Sequence, residues 1–265
     1  NSKFLLPLID LNNKRKKHYK LAYCCFNGIE QQGYNIKNAG YYCNSRVCLI
    51  CNNIRTAKYI NAYFDELKQY GDNLQFVTLT VPAVKLEKLN FTIQRMYEVF
   101  TQIRKNLHKN KIGKLIGLRK LECNYNAQHN WYNPHYHLIV LGKKTAEYIK
   151  KQWLEHIPYS SKYAQEIKEI EEEYGEFTEE SLLELFKYFT KFWLKKNGKI
   201  EFYPAQIIDN IIEAFWDRRI FTAYGLKKKV NEDVNEVRQN LVIDKYREYD
   251  IWLWNKELVD WISQK

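Results

Sequence analysis

No stretch of the chain approaches the roughly 20 consecutive apolar residues that a membrane-crossing helix needs, so no such helix is expected in it. The first residues carry neither the basic n-region nor the cleavage site of a secretory signal, so a cytoplasmic location is expected. An initiating Met is also missing, and a fragment or a processed form is expected. Internal repeats and low-complexity linkers are absent. Acidic residues are outnumbered: 31 Asp plus Glu face 42 Lys plus Arg, for a net charge of +11. That balance favours a polyanionic partner, above all nucleic acid. In a reducing compartment the six cysteines are expected to be metal ligands or core residues rather than disulfides.

What is present reads as a globular chain of 265 residues, 45% of them hydrophobic, long enough for a sizeable core. After a weakly patterned, basic first stretch, apolar spacing predicts a helix over 54–70. A β-branched and aromatic run ending at Pro82 predicts a strand over 74–81. A long helix over 86–110, a strand over 116–124, a polar loop over 125–134 and a strand over 135–142 follow. Beyond residue 144 the pattern turns helical, with segments over 145–157, 163–173, 178–198 and 204–216. A short strand is expected over 219–224, and a docking helix in the Trp-rich tail. Three regions result: a basic and cysteine-rich region 1–56, a central domain 57–230 and a C-terminal helical tail 231–265. The fold class is α+β.

The sequence Asn133-Pro134-His135-Tyr136-His137 places two histidines two residues apart in a strand, so both leave the same face of the sheet. Paired imidazoles suit a divalent ion. If strands 116–124 and 135–141 form a hairpin, Lys120 and Glu122 share one face while Leu121 and Cys123 take the other. Pairing about the loop centre puts Glu122 opposite His137, as a candidate third ligand for Mg²⁺ or Mn²⁺. The competing reading is two histidines and a Glu with no common task, since a one-residue slip would turn Glu122 away. Tyr136, between the histidines, is expected to point to the core.

On a helix, Glu184, Lys187, Tyr188 and Lys191 fall within an arc of about 100°, opposite Leu182, Leu185, Phe186, Phe189 and Trp193. Cations beside a phenol favour the phenolate and so a nucleophile; the plainer alternative is a solvated face of Glu–Lys pairs. Cys48-x-x-Cys51 has the spacing of a zinc knuckle, with Cys43 as a third thiolate and Cys24 or Cys25 as the fourth. Buried free thiols are the alternative. Cys123 is expected in the core. Basic residues at 14–20, 104–114 and 227–229 could track phosphates, and 21 Tyr and 7 Trp offer rings for unpaired bases.

These motifs, in this order, resemble the HUH-endonuclease initiators of rolling-circle replication, in particular the Rep_1 family of small bacterial plasmids. Phe76-Val-Thr-Leu-Thr-Val-Pro82 is similar to its first motif strand, Asn133 to His137 to its metal motif, and Glu184 to Lys191 to its nucleophile motif. Arg218 to Gly225 resembles a later strand, and Tyr42 to Cys51 the upstream cysteine cluster. The chain departs from the family in having Leu49 after Cys48, where Pro is usual, and Cys25 after Cys24, where Gly is usual.

The resemblance implies an HUH-endonuclease fold: a central antiparallel sheet of about five strands flanked by helices, with an N-terminal zinc-binding module. It implies a site- and strand-specific nicking and joining enzyme for single-stranded origin DNA. His135 and His137 would hold the catalytic ion, Tyr188 would form a 5′-phosphotyrosine, Lys191 would act near the phosphate and Glu184 would activate water for termination. Expected partners are single- and double-stranded plasmid origin DNA and a host helicase and polymerase. An HUH transposase or relaxase, or a zinc-dependent DNA-binding protein without nuclease activity, are the alternatives.

Overall fold

The computed structural model describes residues 2–11, 14–22, 43–170, 192–196, 199–227, 230, 251–255 and 260–264. The chain divides into two compact units. One comprises Asn1–Asn61, Leu194–Asp209 and Val230–Lys265, and the other Ala62–Trp193 and Asn210–Lys229.

The second unit is built on a five-stranded antiparallel sheet. Its strands are β1 (Leu74–Thr80), β2 (Gly117–Asn126), β3 (Trp131–Leu141), β4 (Glu166–Glu169) and β7 (Phe221–Tyr224), in the spatial order β4-β1-β3-β2-β7. The long hairpin β2–β3 is its centre, paired from Gly117↔Val140 to Asn126↔Trp131. Tight pairing needs Gly117: its φ is +149°, and a Cβ there would lie 2.0 Å from the Ile139 carbonyl oxygen. At the other end Asn130 turns the chain with φ +52°, a conformation Asn tolerates better than most residues.

Two amphipathic helices cover one face of this sheet. α4 (Leu86–Lys109) buries Leu89, Ile93, Met96, Phe100, Ile103 and Leu107 at three- and four-residue spacing. α5 (Lys143–His156) buries Ala146, Ile149 and Trp153. Between them and the sheet lie Val77, Leu79, Leu121, Tyr136 and Leu138, all buried. Tyr136 meets Phe100 at 5.7 Å and Trp153 at 5.8 Å between ring centroids, as its expected core role requires.

The first unit contains α1 (Ser2–Asp10), α2 (Lys16–Ala22), the start of α3 (Leu49–Lys68), the two-stranded sheet of β5 (Trp193–Lys196) and β6 (Lys199–Phe202), the start of α6 (Ala205–Phe215), and the hairpin β8 (Ile251–Asn255) with β9 (Asp260–Gln264). Arg15 grips the buried Asp209 through two hydrogen bonds, Nε to Oδ1 at 2.7 Å and Nη2 to Oδ2 at 2.5 Å; the Tyr19 hydroxyl shares Oδ1. One cation of the basic N-terminal run is thus held within the protein.

Several sequence expectations change. The loop after β2 spans only residues 127–130, because both strands run further than their apolar cores suggest. Where a helix is expected over 163–173, the described residues form a 3-10 turn (Lys162–Ala164) and then β4, whose pairing with β1 outweighs local helical spacing. Residues 193–196, expected at the end of a helix, are β5, and within the tail expected to be helical residues 251–255 and 260–264 pair as the β8–β9 hairpin.

Candidate metal centre and its surroundings

β3 is central to the sheet yet contains a proline. Tyr132 exchanges both backbone hydrogen bonds with Val84, on the side of β1, so the missing N–H of Pro134 faces that same side. The β1 ladder has ended by then, at Thr80↔His135, so no pairing bond is lost. The histidines follow immediately.

The register sets Glu122 opposite His135 and Lys120 opposite His137. This corrects the expected pairing of Glu122 with His137 by two residues, a shift that leaves every side chain on its expected face. His135, His137 and Glu122 converge, with all three donor atoms within 4.8 Å of one another. Glu122 Oε2 lies 3.7 Å from His135 Nε2 and 3.8 Å from His137 Nε2. Those gaps are too long for good hydrogen bonds, and they leave room for an ion to be held between the donors.

Both imidazoles are oriented through their far nitrogens. His135 Nδ1 lies 3.0 Å from the Asn133 carbonyl, which can only accept, so that nitrogen donates and Nε2 is the one left to face an ion. His137 Nδ1 lies 3.2 Å from Thr78 Oγ1 on the adjoining strand, a contact that likewise leaves its Nε2 to face an ion. Oriented imidazoles with an outer hydrogen bond are the usual form of histidine metal ligands. A set of two imidazole nitrogens and one carboxylate fits a divalent first-row ion or magnesium.

The sequence gives no sign of a role for Lys120, although its parity with Glu122 puts it on the same face. Its ammonium lies 2.6 Å from Glu122 Oε1, and the residue is buried. Burial by itself would raise the Glu122 carboxyl, but Lys120, followed by the two histidines, outweighs it and holds the group well below the ordinary carboxylate range. Glu122 therefore stays ionised, with one oxygen engaged by Lys120 and the other turned to the histidines. On the reverse face Arg119 lies over the rings of Tyr136 (4.6 Å), Tyr97 (4.8 Å) and Phe100 (5.0 Å).

In the other unit, Cys43, Cys48 and Cys51 bring their sulfurs within 4.8 Å of one another, with Cys43 Sγ and Cys51 Sγ 3.5 Å apart. Tetrahedral zinc with Zn–S of about 2.3 Å implies sulfur separations of about 3.8 Å, so the three thiols fit such a site. Arg55, one turn further along α3, ties the loop down through Asn44 Oδ1 (2.6 Å) and the Ser45 carbonyl (3.2 Å). Cys123, as expected, is buried, and burial pushes its thiol up.

Cys24 and Cys25, and the segment with Glu184, Tyr188 and Lys191, lie outside the described residues. No helix among the described residues is long and apolar enough to cross a membrane.

The chain is 25% identical over 210 residues to a "Protein rep" of Streptococcus pneumoniae serotype 2 (strain D39 / NCTC 7466), covering 72% of this chain and 63% of that protein. A "Protein rep" of a Bacillus species is 31% identical over 134 residues (48% of this chain, 42% of the relative). One of Staphylococcus aureus is 31% identical over 125 residues (43% and 53%). The chain thus spans between 42% and 63% of the length of these relatives. No solved structure matches it. The model of the Rep_1 family, described as "Replication protein", matches residues 35–251, which takes in both the cysteine cluster and the histidine strand, and the chain belongs to that family.

Proposed function

We propose that the protein is a plasmid rolling-circle replication initiator that nicks and joins single-stranded origin DNA through a tyrosine. The observation that carries this reading is the convergence of His135, His137 and Glu122 on one sheet face in a member of a replication-protein family. A divalent ion bound there, Mg²⁺ or Mn²⁺, would polarise the scissile phosphate as a Lewis acid. His135 and His137 hold their Nε2 lone pairs toward that position, and Lys120 keeps Glu122 ionised.

Tyr188 is the nucleophile in this scheme. Its oxygen forms the bond to phosphorus, the bond from phosphorus to the 3′ oxygen breaks, and that oxygen leaves as a free 3′-OH after taking a proton. Lys191 offsets charge at the phosphate. Glu184 serves as general base on water for the terminating cleavage. The DNA partner would be met in both single- and double-stranded form at the origin, with a host helicase and polymerase acting on the opened template.

The test is a denaturing gel of labelled single-stranded origin DNA with Mn²⁺. Wild type should give a covalent protein–DNA band, and Tyr188→Phe should reduce it by at least about a thousandfold. A band that survives the substitution rules out Tyr188. Absence of any band from wild type on every origin strand favours a DNA-binding protein without nuclease activity.

Zinc at Cys43, Cys48 and Cys51, completed by Cys24 or Cys25, is proposed as a structural ion separate from the catalytic one. Elemental analysis of purified protein should find about one zinc per chain, falling to near zero in the Cys48→Ser, Cys51→Ser double variant with loss of thermal stability. Unchanged zinc content in that variant would remove the assignment.

A further inference from the structure

The face of β2 and β3 that carries the triad continues beyond it toward the hairpin tip. Side chains at odd positions of β3 share the histidine face, so Asn133 and Trp131 follow His135 in one row. Even positions of β2 supply the other row: Asn124 opposite Asn133 and Asn126 opposite Trp131. Even-numbered Tyr132, Pro134, Tyr136, Leu138 and Val140 of β3 are buried, whereas Trp131 is 43% exposed and Asn133 is half-buried. From the ion-binding side chains outward, the surface therefore runs through a pair of amides to an open indole. At about 3.3 Å per residue, Trp131 lies about 13 Å along β3 from His135.

The indole is held and charged. Lys85 Nζ lies 5.8 Å from its ring centroid and donates to the His129 carbonyl at 2.7 Å, fixing the ammonium at the hairpin tip. The His129 ring lies 5.8 Å from the Trp131 ring. The Val84–Tyr132 bridge sets the backbone of both partners. A cation beside an exposed aromatic face, on a rigid strand, suits an unpaired nucleobase with its phosphate: the ring stacks on the base and the ammonium meets the backbone. A duplex offers no free base face, so the surface fits single strands.

We propose that Trp131 is a stacking platform for an unpaired base of the bound strand, with Lys85 engaging the neighbouring phosphate and Asn124 and Asn133 lining the path to the triad. This rests on the reading of the triad as a centre acting on single-stranded DNA, and deepens it by assigning where the strand lies.

The test is binding of fluorescein-labelled oligothymidylate, read by anisotropy without added Mg²⁺ or Mn²⁺, so that no cleavage intervenes and the proposed structural zinc is kept. Trp131→Ala should weaken binding by about 5- to 100-fold, while Trp131→Phe retains most of the affinity. An abasic strand of equal length should bind wild type and Trp131→Ala alike. Affinity for duplex DNA and for Mn²⁺ should not change. Equal affinity of wild type and Trp131→Ala for oligothymidylate overturns the proposal, as does an equal loss on duplex or abasic DNA. If wild type never nicks yet Trp131→Ala still loses oligothymidylate binding, the platform stands and the nuclease reading falls.

Discussion

The His135→Ala, His137→Ala double variant is expected to lose divalent-ion binding at the sheet and, with it, nicking. Two of three donors disappear, and the remaining carboxylate already has Lys120 at 2.6 Å as a competing cation. Mn²⁺ affinity, measured by titration calorimetry or electron paramagnetic resonance, should fall by at least about 100-fold, more than loss of an outer hydrogen-bond partner usually costs. Nicking should fall by about a thousandfold or more, since a Lewis acid on the phosphate is worth several kcal/mol of barrier. The fold should persist: the His137 side chain is 22% exposed, and neither histidine belongs to the layer beneath α4 and α5. A double variant with normal far-ultraviolet dichroism and undiminished Mn²⁺ binding would show that the ion sits elsewhere.

Glu122→Ala is expected to be costly in a different way. It removes the carboxylate that lies 2.6 Å from the buried Lys120 ammonium. Breaking one half of a buried ion pair typically costs about 3–5 kcal/mol. Urea unfolding at neutral pH should show a loss of that order. The Glu122→Ala, Lys120→Met double variant should recover much of it, because an apolar replacement removes the buried charge as well. Acid should mimic the single variant. The folded carboxyl titrates below its unfolded counterpart, so its stabilisation is complete above the ordinary Glu range near 4.3 and is lost as pH falls toward the folded value. The stability gap between wild type and Glu122→Gln should accordingly narrow at acid pH. A gap of constant size would mean that the ion pair contributes nothing measurable.

The sequence made the face of the sheet legible but not its register. Alternation alone assigns His135, His137, Glu122 and Lys120 to one side, and any even shift preserves that. The register itself depends on where the hairpin turns. Tyr125, Asn126, Trp131, Tyr132 and Asn133, set among polar neighbours, look like loop yet pair as strand, because the backbone ladder continues after the aliphatic side chains end. The roles of Thr78 and the Asn133 carbonyl were out of reach, since the first comes from a strand 59 residues away and the second is a backbone atom. Residues 166–169 show the other limit. Glu-Ile-Lys-Glu fits one turn of an amphipathic helix and a half-exposed strand equally well, and only the presence of β1 decides. In the tail the two patterns compete: Trp252 and Trp254, two apart, suit the observed strand, whereas Trp254, Leu258 and Trp261 follow helical spacing.

The hairpin of β2 and β3 also bears on the order in which the protein assembles. Glu122 is separated from His135 by 13 residues and from His137 by 15, so the three donors meet as soon as one local hairpin closes. β1 and β7 must be recruited from much further along the chain, with a correspondingly larger loss of chain entropy. The donor set is in that sense a local structure, able to form before the sheet is complete. Thr78, arriving later with β1, then fixes the orientation of His137, so final tuning of the centre is tied to closure of the whole domain.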